Sequence, residues 1–194
     1  HEGQTPPSPN RLRVSPFDNA LEAEPNNTSE EAKTSVGELP LAFNGILETE
    51  GDNDYFRFSA KKGKRYNFQM FAQKLGSPVD PVIYIYDAKM KSLGSSDDAD
   101  GIKDGRVAFN CPADGEYFVR VRDMLDRGGA DYFYRVESQE VVPKITVTMP
   151  EMLRRDTQYR KQFNVARGNQ YAMLVNVARS GVSSDAVFDL PNLP

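Results

Sequence analysis

Three stretches of the 194-residue chain concentrate oxygen ligands. The first is Glu22-Ala23-Glu24-Pro25-Asn26-Asn27. Alternate residues of an extended segment point the same way, so Glu22, Glu24 and Asn26 can converge on one point. Two carboxylates and an amide carbonyl on one side begin an oxygen cage of the kind calcium takes. A solvated, charged linker accounts for the same spacing. The second stretch is Gly51-Asp52-Asn53-Asp54-Tyr55, with Asp52 and Asp54 two apart at the mouth of a strand-like run. It reads either as a gathering point for ligands or as a polar turn whose aspartate caps the backbone. The third runs from Ser95 to Gly105 and holds Asp97, Asp98, Asp100 and Asp104. Four such neighbours repel unless dispersed or neutralised. The run Asp98-Ala99-Asp100-Gly101 lacks the closing Glu and the spacing of an EF-hand loop, so a divalent ion and a mobile acidic loop both remain open.

Other chemistries are short of parts. The one histidine is His1, at a terminus, and the one cysteine is Cys111. A Ser-His-Asp or Cys-His arrangement needs an imidazole held rigidly beside the nucleophile, and a zinc site of the Cys/His type needs several such ligands. Cys111, in Phe109-Asn110-Cys111-Pro112, reads instead as a small buried residue at a strand end. Motifs of nucleophile elbows, zinc proteases and phosphate loops are absent. A hydrolase working with two carboxylates survives the count, although the lack of Trp removes a frequent sugar platform.

The elements that must position these residues are short strands. Phe and Tyr number 11 and 9, types that favour pleated structure. Alternation places Phe56 with Phe58, then Tyr66 with Phe68 and Met70, then Tyr117 with Val119 and Val121, each set on one face. Val82 to Tyr86 is apolar on both faces and predicts a central strand, and Arg106–Phe109 and Tyr132–Val136 add two more. Turns fall at Lys62-Gly63, Asp114-Gly115 and Gly128-Gly129. One segment, Ser29 to Val36, predicts a helix opened by Thr28 or Ser29. At least six strands at roughly ten-residue spacing predict an all-β, antiparallel, jelly-roll-like sandwich.

Residues 1–16, with four prolines, read as an extended tail or linker, and residues 17–139 as the sandwich. Residues 140–194 form a further β segment, possible strands lying at Ile145–Thr148, Gln162–Val165 and Tyr171–Val177. It is short for an independent sandwich and is expected to be part of a second, Ig-like domain or a packing extension of the first. Residues 1–139 carry a net charge of −6 and residues 140–194 one of +2. An acidic body argues against nucleic-acid binding, which needs a basic footprint. No apolar run approaches the ~20 residues that cross a bilayer, so no membrane insertion is expected.

The order of motifs adds a family resemblance. Glu24-Pro25-Asn26-Asn27-Thr28 is followed by Asn44-Gly45-Ile46-Leu47, Asp52-Asn53-Asp54-Tyr55-Phe56-Arg57-Phe58 and Lys62-Gly63. Asp80-Pro81 then leads into Val82–Asp87, the Asp97-Asp98 pair follows, and Pro112-Ala113-Asp114-Gly115-Glu116-Tyr117 opens the next strand. Over about residues 20–138 this series resembles the bacterial pre-peptidase C-terminal domain, related to collagen-binding domains of clostridial collagenases. Its wording is similar to copies in planctomycete surface or secreted proteins. The resemblance implies a noncatalytic accessory module, secreted, periplasmic or on the cell surface, that aids folding, secretion or substrate contact. It also implies calcium, held by Glu22, Glu24, Asn26, Asp52 and Asp54, with Asp97, Asp98, Asp100 and Asp104 matching less securely. Partners would be a polymeric protein or polysaccharide substrate, or a neighbouring domain of the same chain. An adhesion module binding carbohydrate or protein through exposed aromatics is the rival reading; Phe118 and Phe133 are outward candidates for it.

Overall fold

The computed structural model describes residues 11–32, 34–98, 101, 103–148, 166–169, 175–182, 185 and 187. Contacts divide the chain into two units between Val141 and Val142. The first unit holds two five-stranded sheets. In chain order its strands are β1 (Asn19–Leu21), β2 (Ser35–Glu38), β3 (Ala42–Ile46), β4 (Asp54–Ala60) and β5 (Arg65–Phe71). They continue with β6 (Pro81–Asp87), β7 (Ser92–Ser96), β8 (Arg106–Asn110), β9 (Gly115–Asp123) and β10 (Phe133–Glu140). One sheet runs β1-β3-β10-β5-β8 and the other β2-β4-β9-β6-β7.

The alternation read from the sequence is what closes the sandwich. Phe56 and Phe58 on β4, Tyr66, Phe68 and Met70 on β5, and Tyr117, Val119 and Val121 on β9 are all buried in one core. Phe43 sits among them, 5.4–6.2 Å from the rings of Phe56, Phe58 and Phe68. Fully burying such a side chain contributes about 1.5–3 kcal/mol, so this cluster is the main favourable term of the fold. Cys111 is also buried, with its sulfur beside the Tyr117 hydroxyl.

Two expectations change. The helix over Ser29–Val36 is one turn: the Glu31 and Ala32 amides donate to the Thr28 carbonyl, and β2 begins at Ser35. Thr28 does cap that turn: the Glu31 N–H donates to Thr28 Oγ1, and the Thr28 hydroxyl donates to the Glu31 carboxylate. The local signal was sound, but pairing with β4 takes the chain that would have continued it. The sheets are also not wholly antiparallel. β1 lies parallel to β3 and β2 parallel to β4, each at a sheet edge, because the chain alternates between sheets before returning.

The Pro-rich tail differs as well. Its described part, residues 11–16, lies against the outer face of β5 and β10, with Arg13 on Glu137 and over the Phe71 ring. In the second unit, β11 (Lys144–Thr148) and β12 (Asn176–Ser180) form an antiparallel pair. Val177 belongs to β12, whereas the predicted strand at Gln162–Val165 and residues 171–174 lie outside the described residues.

Candidate metal site

The site is built where β1 ends, β3 passes and β4 begins. Glu22 follows β1, and its backbone N–H donates to the Asn44 carbonyl on β3. That bond turns the Glu22 side chain along β3, where Oε1 accepts the Ile46 N–H at 2.7 Å. Asp54 is the first residue of β4 and is fully buried. Oxygens of Glu22, Glu24 and Asp54 all lie within 4.8 Å of one another. Three carboxylates from two segments thus share one small volume.

Asn26 completes the group. It is buried, and its side-chain amide lies 2.8 and 3.3 Å from the two Glu24 oxygens. With its nitrogen turned inward it donates to both. With its oxygen turned inward it is a ligand beside them, an arrangement that needs a cation between. The Asn26 backbone serves too: its N–H donates to Glu24, and its carbonyl accepts the Tyr55 N–H, tying the loop to β4.

Two residues that sequence reading did not single out as site residues support the cluster. Tyr134, buried on β10, donates its hydroxyl to Asp54 Oδ2. Gly45 on β3 leaves the room this needs, since a Cβ there would lie 2.3 Å from both Glu22 Oε2 and the Tyr134 hydroxyl. A glycine inside a strand is the sequence signal for such a close approach. Nothing local marks Tyr134, which on its own strand is one more alternating aromatic.

Electrostatically the cluster is unbalanced. Glu22 Oε2 is buried and meets no N–H or O–H donor; its neighbour is the Asp54 carboxyl, with which it pairs only by sharing a proton. Among the described residues no ion pair is made by Glu22, Glu24 or Asp54. Burial, then the charges of Glu22 and Asp52, push the Asp54 carboxyl up to about 9 against the opposing Tyr134 hydrogen bond. Burial raises Glu22 and Glu24 in the same direction. Without a cation, then, the cluster holds a proton at neutral pH. Three carboxylates, one of them with a buried oxygen that meets no donor, and an amide oxygen fit a hard divalent ion.

The remaining predicted ligands sit differently. Asp52 is buried, and its two oxygens accept the Glu48 N–H at 2.6 Å and the Asn53 N–H at 2.9 Å, so it ties the turn before β4. It acts on the cluster through its charge, raising the three carboxyls. Asp104 is buried on the far side of the acidic loop, where its carboxylate accepts the N–H groups of Ala72, Gln73 and Lys74 at 2.9–3.2 Å. It anchors the 3-10 turn Gln73–Leu75. Asp97 accepts the Asp98 N–H, both are exposed, and Asp100 lies outside the described residues. Among the described residues the acidic loop gathers no second group of three ligands.

Residues 52–123 match the family model of the bacterial pre-peptidase C-terminal domain. Over that segment the chain is similar to this domain. Over 101 residues, half of the chain, it is 38% identical to a protein of Deinococcus radiodurans described as a probable subtilase-type serine protease, and that match spans 14% of the relative's length. Among solved structures, the pre-peptidase C-terminal domain of a Bacillus anthracis collagenase aligns with a TM-score of 0.41 and 13% identity, covering 66% of this chain and all of that one. The periplasmic g-type lysozyme inhibitor PliG of Aeromonas hydrophila aligns at 0.36 and 15% identity, covering 63% and 98%. The matched pre-peptidase C-terminal segment begins at Asp52, so Glu22, Glu24 and Asn26 lie ahead of it and reach it through space.

Proposed function

We propose that the first unit is a noncatalytic accessory module of a secreted, periplasmic or surface protein, and that calcium held by Glu22, Glu24, Asn26 and Asp54 stabilises it. The observation that carries this reading is the trio of carboxylates within 4.8 Å, one oxygen of which is buried and meets no donor. An ion there supplies positive charge where the described side chains supply none. Its chemistry is structural: it neutralises clustered carboxylates and joins the segment after β1 to the start of β4. Asp52 keeps the turn in register beside it. A module of this kind would aid folding or secretion of its parent, or bring it to a polymeric protein or polysaccharide substrate. The relative described as a subtilase-type protease supports a secreted setting. No helix among the described residues is long and apolar enough to cross a membrane.

The rival adhesion reading has one observation in its favour. Tyr55, Tyr84 and Tyr86 stand on the outer face of the β4-β9-β6 sheet with rings 6.0–6.4 Å apart. Arg120 lies over two of them. Phe118, an expected outward aromatic, is buried on that face beneath Arg57, while Phe133 is 38% exposed on the other sheet.

Thermal melts with calcium and with chelator test the proposal. Binding to the folded state alone adds about 2.7 kcal/mol at a hundredfold excess over Kd, or a rise of about 10 °C for a unit of this size. Equal melting temperatures in both buffers, with Glu24→Ala and Asp54→Ala also indifferent to calcium, would overturn it.

A further inference from the structure

In a two-layer sandwich the outward residues of a strand meet water unless something covers them. On β5 and β10 the inward residues are Tyr66, Phe68 and Met70, and Tyr134, Val136 and Ser138. Phe71 and Glu137 therefore point outward, yet they are 8% and 3% exposed. What covers them is the segment before β1. Arg13 donates through Nε to Glu137 Oε1 at 2.7 Å and through Nη2 to Oε2, a two-pronged contact. Its guanidinium stacks 3.6 Å from the centre of the Phe71 ring.

The receiving side is built to accept it. Arg135 donates to the same Glu137 oxygen at 2.8 Å and, through its other nitrogens, to Ser15 Oγ, Asn19 and Asn44. Arg11 adds a bond to the Lys74 carbonyl at 3.0 Å, and the Asp18 carbonyl accepts the Ala42 N–H at 2.9 Å. Burial alone would raise the Glu137 carboxyl; hydrogen bonds from Arg13, Arg135 and Ser15 outweigh it and bring it to about 2. A planar, bidentate guanidinium fits such a carboxylate where an ammonium does not.

We propose that residues 11–18 are a strap that locks onto the sandwich through Arg13, seated in a cradle of Glu137, Arg135 and Phe71, and that this lock holds independently of any cation at Glu22. The strap is a conformational device: seated, it covers the outer face of β5 and β10 at Phe71 and Glu137; released, it leaves β1 as the first anchor. Leu12 and Val14, on either side of Arg13, are 88% and 86% exposed, so at this point of the strap the arginine makes the hold; Phe17 further along is half-buried.

Trypsin reads the lock directly, because cleavage after Arg13 requires its side chain to leave the cradle. The full chain is digested with calcium and, separately, with chelator, and followed by mass spectrometry. Cleavage after Arg13 is expected to rise at least tenfold in Glu137→Gln, with the sandwich verified by its far-UV spectrum. Phe71→Leu, which keeps the charge pair, gives a smaller rise and covers the case in which Glu137→Gln does not fold. In Arg13→Lys, cleavage after position 13 also rises, since the fork is lost while the charge and the protease site remain. The proposal is overturned if Arg13 is cut equally fast in the parent and these variants. It is overturned as well if chelator alone gives the parent the variants' rate, which would assign the lock to the cation site.

Discussion

Two buried acids, Glu137 on β10 and Asp54 at the start of β4 in the facing sheet, meet opposite fates. Glu137 is nearly as buried as Asp54, yet it is held at about 2 while Asp54 is pushed up to about 9. Burial acts on both in the same direction. The difference lies in what each faces: Glu137 receives guanidinium groups from Arg13 and Arg135, whereas Asp54 faces Glu22 and Asp52 and one tyrosine hydroxyl. One cluster is completed by the chain's own cations. The other is completed by protons, or by an ion from outside, and the comparison teaches that an unbalanced buried acid is a stronger pointer to a ligand than the number of acids.

Gly45→Ala should break the second cluster most. The new Cβ would lie 2.3 Å from Glu22 Oε2 and from the Tyr134 hydroxyl, atoms held by bonds of their own. A loss of about 3 kcal/mol in denaturant unfolding, together with loss of the calcium-induced rise in Tm, is expected. Glu137→Gln should cost somewhat less, about 2 kcal/mol, because it leaves two arginines short of a carboxylate while Arg13 remains partly solvated. Its calcium-induced rise in Tm should match the parent's. If calcium no longer stabilises this variant, the two clusters are one cooperative unit and the comparison fails.

Acid titration sharpens the contrast through its sign. The raised Asp54 pKa contributes stability that is complete below the unfolded value of ~3.9 and is lost as pH climbs toward about 9. The depressed Glu137 pKa contributes stability that is complete above ~4.3 and is lost as pH falls toward about 2. Melts of the chelated protein should therefore show Tm declining from pH 5 to pH 9. Saturating calcium should remove that decline, since the ion replaces the proton. A chelated protein whose Tm climbs over the same range would contradict the assignment. The smallest effect is expected from Asp97→Asn, within about 0.5 kcal/mol and with the calcium response unchanged, as its carboxylate is exposed and caps only its neighbour.

Much of the sandwich was legible because its signals are local. Period-two alternation in β4, β5 and β9 named the inward residues, and each is buried. The short edge strands β1 and β2 were not legible, since three or four residues carry too little pattern and partner strands, not propensity, make them strands. At the site, the Glu22-x-Glu24-x-Asn26 spacing and the resemblance marked four residues that the structure brings together, with Asp52 as their neighbour and Asp104 turned to another task. The strap escaped notice because proline content reads as linker, while the partners of Arg13 lie 58 and 124 positions away.

The sequence by itself determined the chemistry in stock: abundant hard oxygen donors, a lone histidine at the terminus, a lone cysteine, and alternating aromatics able to form two facing sheets. Which carboxylates meet, and with what, was decided only by the tertiary structure. Burial and proximity are properties of the closed sandwich, and the energy of a charge depends on both. The same residue type is therefore an anchor at Asp104, an arginine's partner at Asp123, and at Asp54 a carboxyl crowded by other carboxylates.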